Sequence, residues 1–208
     1  MRISIVDCGV NNLASVCNAV TVAGCTPEVV TAPEQVLNAE RLVLPGIGAA
    51  SEALRRLRVR HLDEALDEAV RRRGRPMLGI CLGMQMLAER LLEFGDHEGL
   101  GWIPGKVVAL ETLDGFHERS PHIGWNAVDV SEDADALLGR PRGERSYFFC
   151  HSFTLVTPAS DRVIATTDHG RSLVAAIRFD NVLATQFHPE RSHVNGARLL
   201  AAFGEWSP

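Results

Sequence analysis

Apolar and polar positions follow two different patterns along the chain, and the change divides it into two halves. In the first half, short apolar runs predict strands at residues 2–7, 26–31, 41–44 and 76–80. Segments of helical period between and after these strands predict four helices. The first runs from a cap at Asn11-Asn12 to about residue 24, the second is short and begins at Pro33, and the last runs from 81 to about 94–95. The third covers 51–73, with Ser51 as its cap and a break near His61. Strands that alternate with helices predict a parallel sheet with covered faces.

From residue 106 the pattern changes to short strand-like runs separated by turn residues. These runs cover residues 106–110, 126–130, 147–155, 163–167, 173–178 and 182–186. They predict a mostly antiparallel second half, followed by a final helix over about 193–203. No linker, internal repeat or low-complexity segment interrupts the pattern, so we predict a single domain over residues 1–208.

Composition excludes several classes of protein. The chain has 208 residues, 46% of them apolar and 23% charged, and a formal net charge of −5, which is typical of a folded globular protein. Its arginine runs lack interleaved aromatic residues, so no nucleic-acid partner is predicted. The first residues form an alternating strand rather than a signal peptide, and no apolar run approaches membrane-spanning length. We therefore predict a cytoplasmic protein without membrane contact.

Neither a disulfide framework nor a metal site is indicated by the cysteines and histidines. The five cysteines are an odd number in no metal-like spacing, and the histidines are scattered without a helical ligand pair. We predict no metal and no cofactor.

Cys81 stands where a short apolar run meets a helical pattern, between Gly79 and Gly83. This is G-x-C-x-G, the thiol counterpart of the G-x-S-x-G nucleophile elbow, in which a sharp turn lifts the nucleophile above a strand. A cysteine at the start of a helix also feels the positive end of the helix dipole, which favours the thiolate. The alternative is that Cys81 is a small buried hydrophobic residue.

A second motif supplies a base and an orienting group. The strand-like run 182–187 ends in His188-Pro189-Glu190, and residues two apart in extended backbone point the same way. Glu190 can then hold one nitrogen of His188 while the other faces a thiol. Alone, His188 would more often be structural, but the two motifs together favour a Cys81, His188 and Glu190 triad.

These two motifs resemble those of the class I (triad) glutamine amidotransferases. Four further stretches, 44–48, 99–105, 121–126 and 151–153, are similar to the glutaminase subunits of imidazole glycerol phosphate synthase. The resemblance implies an α/β fold of three layers, in which helices flank a mostly parallel central sheet and antiparallel strands lie in the C-terminal half. It also implies hydrolysis of glutamine to glutamate and ammonia, with Cys81 forming a thioester and His188 moving the protons.

The family also implies an oxyanion hole and a glutamine-binding wall. The first oxyanion donor is the N–H of Leu82, the residue after the nucleophile. The resemblance takes the second from Gly46-Ile47-Gly48, which could equally be a plain strand-ending turn. It assigns Gln85 and the backbone around His151, Ser152 and Phe153 to glutamine binding. The alternative is that Gln85 is a solvated helix residue.

A partner is part of the implied mechanism, because free ammonia is mostly protonated in water. The family's partner is a (β/α)8-barrel cyclase, bound as a heterodimer, which forms imidazole glycerol phosphate and an aminoimidazole ribotide in histidine biosynthesis. The resemblance places the docking face at Asn11, Asn12, Trp125, Asn126 and Arg191.

Three alternatives remain open at this point. The chain departs from the family pattern at Cys8, Asn11 and Ala50, and similar subunits serve synthases that amidate surface sugars. A cysteine peptidase of the same superfamily would share the elbow without needing Gln85. A non-catalytic binding module would be expected to lack a member of the triad.

Overall fold

Fourteen strands are present in the part of the chain that the computed structural model describes, which is residues 1–131, 134, 137, 138 and 145–208. The strands are β1 (Arg2–Val6), β2 (Thr26–Val30), β3 (Leu42–Gly46), β4 (Met77–Cys81), β5 (Ala88–Leu91), β6 (His97–Glu98), β7 (Ile103–Ala109), β8 (His122–Ala127), β9 (Asp129–Val130), β10 (Ser146–His151), β11 (Phe153–Val156), β12 (Val163–Asp168), β13 (Ser172–Phe179) and β14 (Val182–Thr185). The helices are α1 (Leu13–Val22), α2 (Pro33–Leu37), α3 (Ala50–Val59), α4 (Leu62–Leu66), α5 (Leu82–Gln85) and α6 (His193–Glu205).

An eight-stranded sheet forms the centre of the fold, in the order β2-β1-β3-β4-β14-β13-β12-β9. The first five of these strands are parallel, and the last three are added antiparallel. Two smaller sheets, β10-β8 and β11-β7-β5-β6, complete the fold. The predicted α/β architecture, with a mostly parallel centre and antiparallel strands in the C-terminal half, is confirmed.

Alternation along the central strands separates two apolar layers. In β3, Val43 faces one layer while its neighbours Leu42 and Leu44 face the other, because successive side chains of a strand point to opposite faces. One layer contains α1 and α6 with the β8–β10 sheet, and the other contains α2, α3 and α4 with β5 and β7. The sheet is therefore covered on both faces, which gives three layers.

Helix α1 begins as the sequence predicts, because the Asn12 side chain accepts a hydrogen bond from the Ser15 N–H at 3.3 Å. The predicted break at His61 is also confirmed, since this residue adopts a left-handed conformation with φ of 53°. The prediction of Ser51 as a helix cap is wrong. Helix α3 starts at Ala50, whose N–H donates to the Glu93 carboxylate at 2.7 Å, so a distant side chain takes the capping role.

The predicted helix from residue 81 to 94–95 is also wrong. Helix α5 is a single turn, and the chain continues into strand β5. The Met86 and Ala88 carbonyls accept hydrogen bonds from the N–H groups of Leu100 and Gly101 instead of from a following helical turn. This loop approaches so closely that a Cβ on Gly99 would lie 1.9 Å from the Ala88 carbonyl oxygen.

Two predicted strands in the second half have different limits. The run 147–155 divides at Ser152 into β10 and β11, which pair with β8 and β7 in separate sheets. The run 126–130 likewise divides into the end of β8 and the short β9. Within the described residues, no helix combines the length and the apolar character needed to cross a membrane.

Candidate active site

Cys81 lies at a sharp turn between β4 and α5, and its backbone is strained. Its φ of 52° and ψ of −103° fall outside the regions that side chains normally permit. Gly83 lies close against β3, because a Cβ there would be 1.8 Å from the Leu44 carbonyl oxygen. Gly79 is also confined, since a Cβ there would be 3.0 Å from the Gly83 carbonyl carbon. The glycines at both sides of the cysteine therefore allow the turn, as expected for a nucleophile elbow.

His188 reaches Cys81 because β14, the strand before it, is parallel to β4 and adjacent to it. The carboxyl ends of both strands therefore lie at the same edge of the sheet. His188 Nδ1 is 2.7 Å from Glu190 Oε1, and both side chains are only 6% exposed. The pairing differs in one respect from the prediction, because Glu190 lies on a 3-10 turn, Pro189–Arg191, rather than on extended backbone.

The charge distribution at this edge favours a protonated imidazole. Burial alone would lower the pKa of His188, but the charge of Cys81 and hydrogen bonds to Cys81 and Glu190 raise this pKa to about 10. An imidazolium held between a thiol sulfur and a carboxylate stabilises a thiolate beside it. The three side chains can therefore act as a nucleophile, an acid–base group and an orienting group.

The segment Gly46-Ile47-Gly48 lies beside the cysteine, but one of its possible donors is turned away. The Ile47 N–H donates to the Val10 carbonyl at 2.9 Å, outside the pocket described below. Gly48 has a φ of +84°, which a residue with a side chain rarely adopts. Leu82 begins α5 directly after Cys81, and the Gly46 position packs against its side chain. In this arrangement the Ile47 N–H is not available to a group bound in the pocket.

A pocket of about 520 Å³ opens above Cys81, and most of the predicted site residues line it. Those that line it are Ile47, Gly48, Cys81, Leu82, Gln85, Ser152, Phe153, His188 and Arg191. Glu190 and Gly46 are not in the lining. The lining also contains residues whose side chains were given no role from the sequence, namely Ala49, Glu93, Phe94, Pro121, Cys150 and His151.

Gln85 is a wall of this pocket rather than a solvated helix residue. Its side chain is buried, and its Nε2 donates to the Phe153 carbonyl at 2.8 Å and to Gln186 Oε1 at 3.2 Å. Gln186 was missed by the sequence analysis, although it stands two residues before His188. Its own Nε2 donates to the sulfur of Cys81 at 3.6 Å. Gln186 belongs to the same motif as His188, but its role depends on a contact with Cys81 at the end of β4, which is distant in sequence.

Besides its histidines, the pocket lining contains one acidic side chain, Glu93, and one arginine, Arg191. Glu93 is buried, and burial raises the pKa of its carboxyl. Arg191 lies at the pocket with its guanidinium over the Phe148 ring, 4.1 Å from the ring centroid. A carboxyl group and a guanidinium at one pocket complement the two charged groups of a free amino acid.

The residues predicted for partner docking fall into two groups. Trp125 is 48% exposed and stacks on His193 with ring centroids 5.1 Å apart, and its edge meets the Phe148 ring on which Arg191 lies. Asn126, next to Trp125, donates to the Asp168 carbonyl at 2.7 Å. Asn11 and Asn12 directly precede α1, where Asn11 donates to Asp7 at 3.2 Å and Asn12 caps the helix.

The described ranges 1–131, 134, 137, 138 and 145–208 contain no candidate metal-binding site. No group of three histidine, cysteine or acidic side chains there is arranged to hold a metal ion.

Comparison with known proteins gives matches over nearly the whole chain. The family model "Glutamine amidotransferase class-I" matches residues 4–204. The imidazole glycerol phosphate synthase subunit HisH of Zymomonas mobilis is 42% identical over 99% of this chain and 96% of its own length. The subunit of the same name from Rhodopirellula baltica is 46% identical over 97% of this chain and 96% of its own.

Solved structures show the same fold at low sequence identity. A crystal structure of a glutamine amidotransferase superposes with a TM-score of 0.75 at 18% identity, covering 98% of this chain and 97% of its own. The structure of PurLQS from Thermotoga maritima gives a TM-score of 0.74 at 17% identity over the same shares.

Proposed function

Because the chain belongs to the class-I glutamine amidotransferases, and among them to the HisH subunits of imidazole glycerol phosphate synthase, we propose how its residues perform that role. It hydrolyses glutamine to glutamate and ammonia, and the ammonia feeds the synthesis of imidazole glycerol phosphate in histidine biosynthesis. We propose that residues 1–208 form one amidotransferase domain.

Acylation is the first half of the proposed reaction. The Cys81 sulfur attacks the side-chain amide carbon of glutamine and forms a C–S bond, which gives a tetrahedral intermediate with a negatively charged oxygen. His188 then protonates the amide nitrogen, the C–N bond breaks, and ammonia leaves behind a thioester. Glu190 holds the imidazole through the 2.7 Å contact and stabilises its positive charge.

Deacylation follows the same path with water. The now neutral His188 takes a proton from water, whose oxygen adds to the thioester carbon, and the C–S bond then breaks to release glutamate. The Leu82 N–H donates to the oxyanion in both halves. A second donor requires the Ile47 peptide to leave the Val10 carbonyl and turn toward the pocket.

Substrate recognition in this proposal uses the pocket wall. Gln85 and the backbone at Ser152 and Phe153 bind the amino-acid end of glutamine, and Glu93 faces its ammonium group. The buried Gln85 network distinguishes this site from that of a peptidase, because a pocket closed by Gln85 and Phe153 fits one free amino acid better than an extended peptide.

The subunit acts together with a partner, since the HisH relatives are subunits of a synthase. We propose a heterodimer with a (β/α)8-barrel cyclase that accepts the ammonia directly. Trp125 is half-exposed and stacks on His193, and Arg191 lies over the neighbouring Phe148 ring. These side chains support a docking surface here, because aromatic and arginine side chains are typical interface anchors. Asn126 continues this surface, and Asn11 and Asn12 would lie at its margin. A cytoplasmic location remains a prediction.

The observation that carries the proposal is the buried contact of His188 with both Cys81 and Glu190 at the base of a pocket. A reconstitution tests it, with the host's barrel cyclase, glutamine and the phosphoribulosyl formimino substrate. We expect glutamine-dependent formation of imidazole glycerol phosphate. Cys81→Ala should abolish this activity, while added ammonia should still support the cyclase.

Two outcomes would contradict the proposal at different levels. Product formed from glutamine by Cys81→Ala at the rate of the parent chain would remove the triad from the mechanism. Failure of the parent chain in this reconstitution, with glutamine-dependent amidation of a sugar by another barrel protein, would overturn the histidine assignment and leave the triad intact.

A further inference from the structure

Two buried histidines outside the proposed triad join the pocket wall to strand β8. His151 Nδ1 is 2.9 Å from the Phe153 carbonyl, and its Nε2 is 3.0 Å from His122 Nδ1. His122 Nε2 is in turn 3.2 Å from the Asn126 side-chain nitrogen. Both rings are almost fully buried, so these contacts are their hydrogen-bond partners in place of water.

The chemistry of the two ends fixes the direction of these hydrogen bonds. A carbonyl only accepts, so His151 must carry its hydrogen on Nδ1, and in a neutral ring its Nε2 must then accept. His122 therefore donates from Nδ1 and accepts on Nε2, where the Asn126 amide donates. Protonation of either imidazole would leave two N–H groups facing each other. Burial lowers the pKa of His122 to about 3 and that of His151 to about 4, which keeps both rings neutral.

The same chain of hydrogen bonds continues to the nucleophile. The Phe153 carbonyl also accepts from Gln85 Nε2 at 2.8 Å, and Gln85 donates to Gln186 Oε1 at 3.2 Å. Gln186 Nε2 then donates to the Cys81 sulfur at 3.6 Å. Six consecutive hydrogen bonds thus connect Asn126 to the Cys81 sulfur.

The position of Phe153 explains why its carbonyl needs a partner. The chain leaves β10 at His151 and enters β11 at Phe153, and the two strands belong to different sheets. The bond from His151 Nδ1 to the carbonyl two residues later closes this bend. At the other end, the Asn126 side chain is fixed by the Asp168 carbonyl at 2.7 Å and the Ala127 N–H at 2.8 Å.

We propose that His122 and His151 are positioning residues of the glutaminase site. They hold the Phe153 carbonyl, and through it Gln85, where bound glutamine needs them, and they couple this wall to the exposed strand β8. Neither ring touches the reacting atoms in this role. The inference rests on the proposed function, because it assigns these histidines to the binding of glutamine.

Side-chain amides provide the variants that test this role. Asparagine places its Nδ2 where the Nδ1 of histidine lies, so His151→Asn keeps a donor for the Phe153 carbonyl. His151→Leu removes both hydrogen bonds of the ring at similar volume. The pair His122→Asn and His122→Leu repeats the comparison one step further from the pocket. His169→Asn is the matched control, because this ring stacks on His122 with centroids 4.1 Å apart but hydrogen-bonds to the Arg119 carbonyl instead of joining the chain.

The measurement is steady-state glutamine hydrolysis in the complex with the cyclase, with separate values of kcat and KM. We expect His151→Leu to raise KM for glutamine about tenfold with a smaller change in kcat, because one oriented hydrogen bond to the binding wall is lost. His151→Asn should recover most of this loss. His122→Leu should raise KM about threefold, and His169→Asn should match the parent chain.

A second readout separates positioning from general damage to the fold. Alkylation of Cys81 by iodoacetamide, which carries no amino-acid group, should proceed in His151→Leu at the rate of the parent chain. An unchanged KM in both His151→Leu and His122→Leu would overturn the proposal, as would equal damage by His151→Asn and His151→Leu. If His151→Leu does not fold, the comparison of His122→Leu with His122→Asn decides in the same way. A parent chain that does not hydrolyse glutamine would instead contradict the proposed function itself.

Discussion

The strained backbone at Cys81 predicts that glycine at this position stabilises the fold. The comparison is between Cys81→Gly and Cys81→Ala, which both lack the thiol and differ only in the Cβ atom. At φ of 52° and ψ of −103°, a residue with a Cβ stores about 1–3 kcal/mol of strain. Glycine relieves this strain, but its greater freedom in the unfolded chain costs about 0.5–1 kcal/mol. We therefore expect Cys81→Gly to be more stable than Cys81→Ala by about 1 kcal/mol, the difference between the middles of these two ranges.

Equilibrium unfolding in urea, followed by circular dichroism, measures this difference as a shift of the midpoint at constant slope. Ala53→Gly is the control, because Ala53 is buried inside α3, where the same change should lose about 1 kcal/mol or more. A Cys81→Gly variant that is equally stable as Cys81→Ala, or less stable, would contradict the strain assigned to this backbone. The elbow would then be an unstrained turn, and the position of Cys81 at the pocket would need another cause.

Three further predictions follow from the site. In a glutaminase assay, His188→Ala should lower kcat nearly as much as loss of the nucleophile, about 10⁴-fold or more. Glu190→Ala should lower kcat at least tenfold less than His188→Ala. Equal losses in the two variants would contradict the orienting role of Glu190. Burial lowers the pKa of His122 and His151 in the folded chain below the unfolded value of about 6.5, so the unfolded chain takes up these protons first as the pH falls. The free energy of unfolding should therefore fall as the pH drops below about 6.5, by up to about 1.4 kcal/mol per pH unit for each ring. Urea midpoints between pH 7 and 5 should show a shallower fall in His122→Asn than in the parent chain, and identical slopes would contradict this assignment. Because the Ile47 N–H is bonded away from the pocket, the isolated chain should hydrolyse glutamine slowly until the cyclase and its ligand bind, and an unchanged steady-state rate at saturating partner would contradict the gating.

Local patterns in the sequence predicted the features that depend on neighbouring residues. The alternation of strands with helices indicated a parallel sheet covered on both faces, and Asn12 indicated the start of α1. The glycines around Cys81 indicated the elbow, because a tight turn needs small residues wherever it occurs. In each case the physical cause lies within a few residues of the signal.

Features that depend on distant contacts could not be predicted in this way. The helix after Cys81 ends early because the Gly99 loop takes its carbonyls, and the Ala50 N–H is satisfied by Glu93 instead of by a nearby cap. The division of the strand at Ser152 arises because its two parts pair with β8 and β7. The periodicity of a segment does not reveal these contacts, since they are made with segments more than ten residues away.

The polar residues around the triad show the same limit. Gln186 stands in the histidine motif, yet its bond to the Cys81 sulfur exists only because β14 and β4 are adjacent. The neutral pair of His122 and His151 is assembled by the pairing of β8 with β10. A histidine in a strand gives no sign of its tautomer until its neighbours are known.

The role of Cys81 as nucleophile is tested most directly by the site at which a glutamine-like electrophile modifies the chain. Mass spectrometry of the labelled protein should show one adduct on Cys81, slowed by excess glutamine and absent from Cys81→Ala. Cys150 provides an internal control, because it lines the same pocket without a contact of the kind that links Cys81 to His188. Labelling of Cys150 in place of Cys81, or equal labelling of Cys81→Ala and the parent chain, would contradict the claim that Cys81 is the nucleophile of a glutaminase.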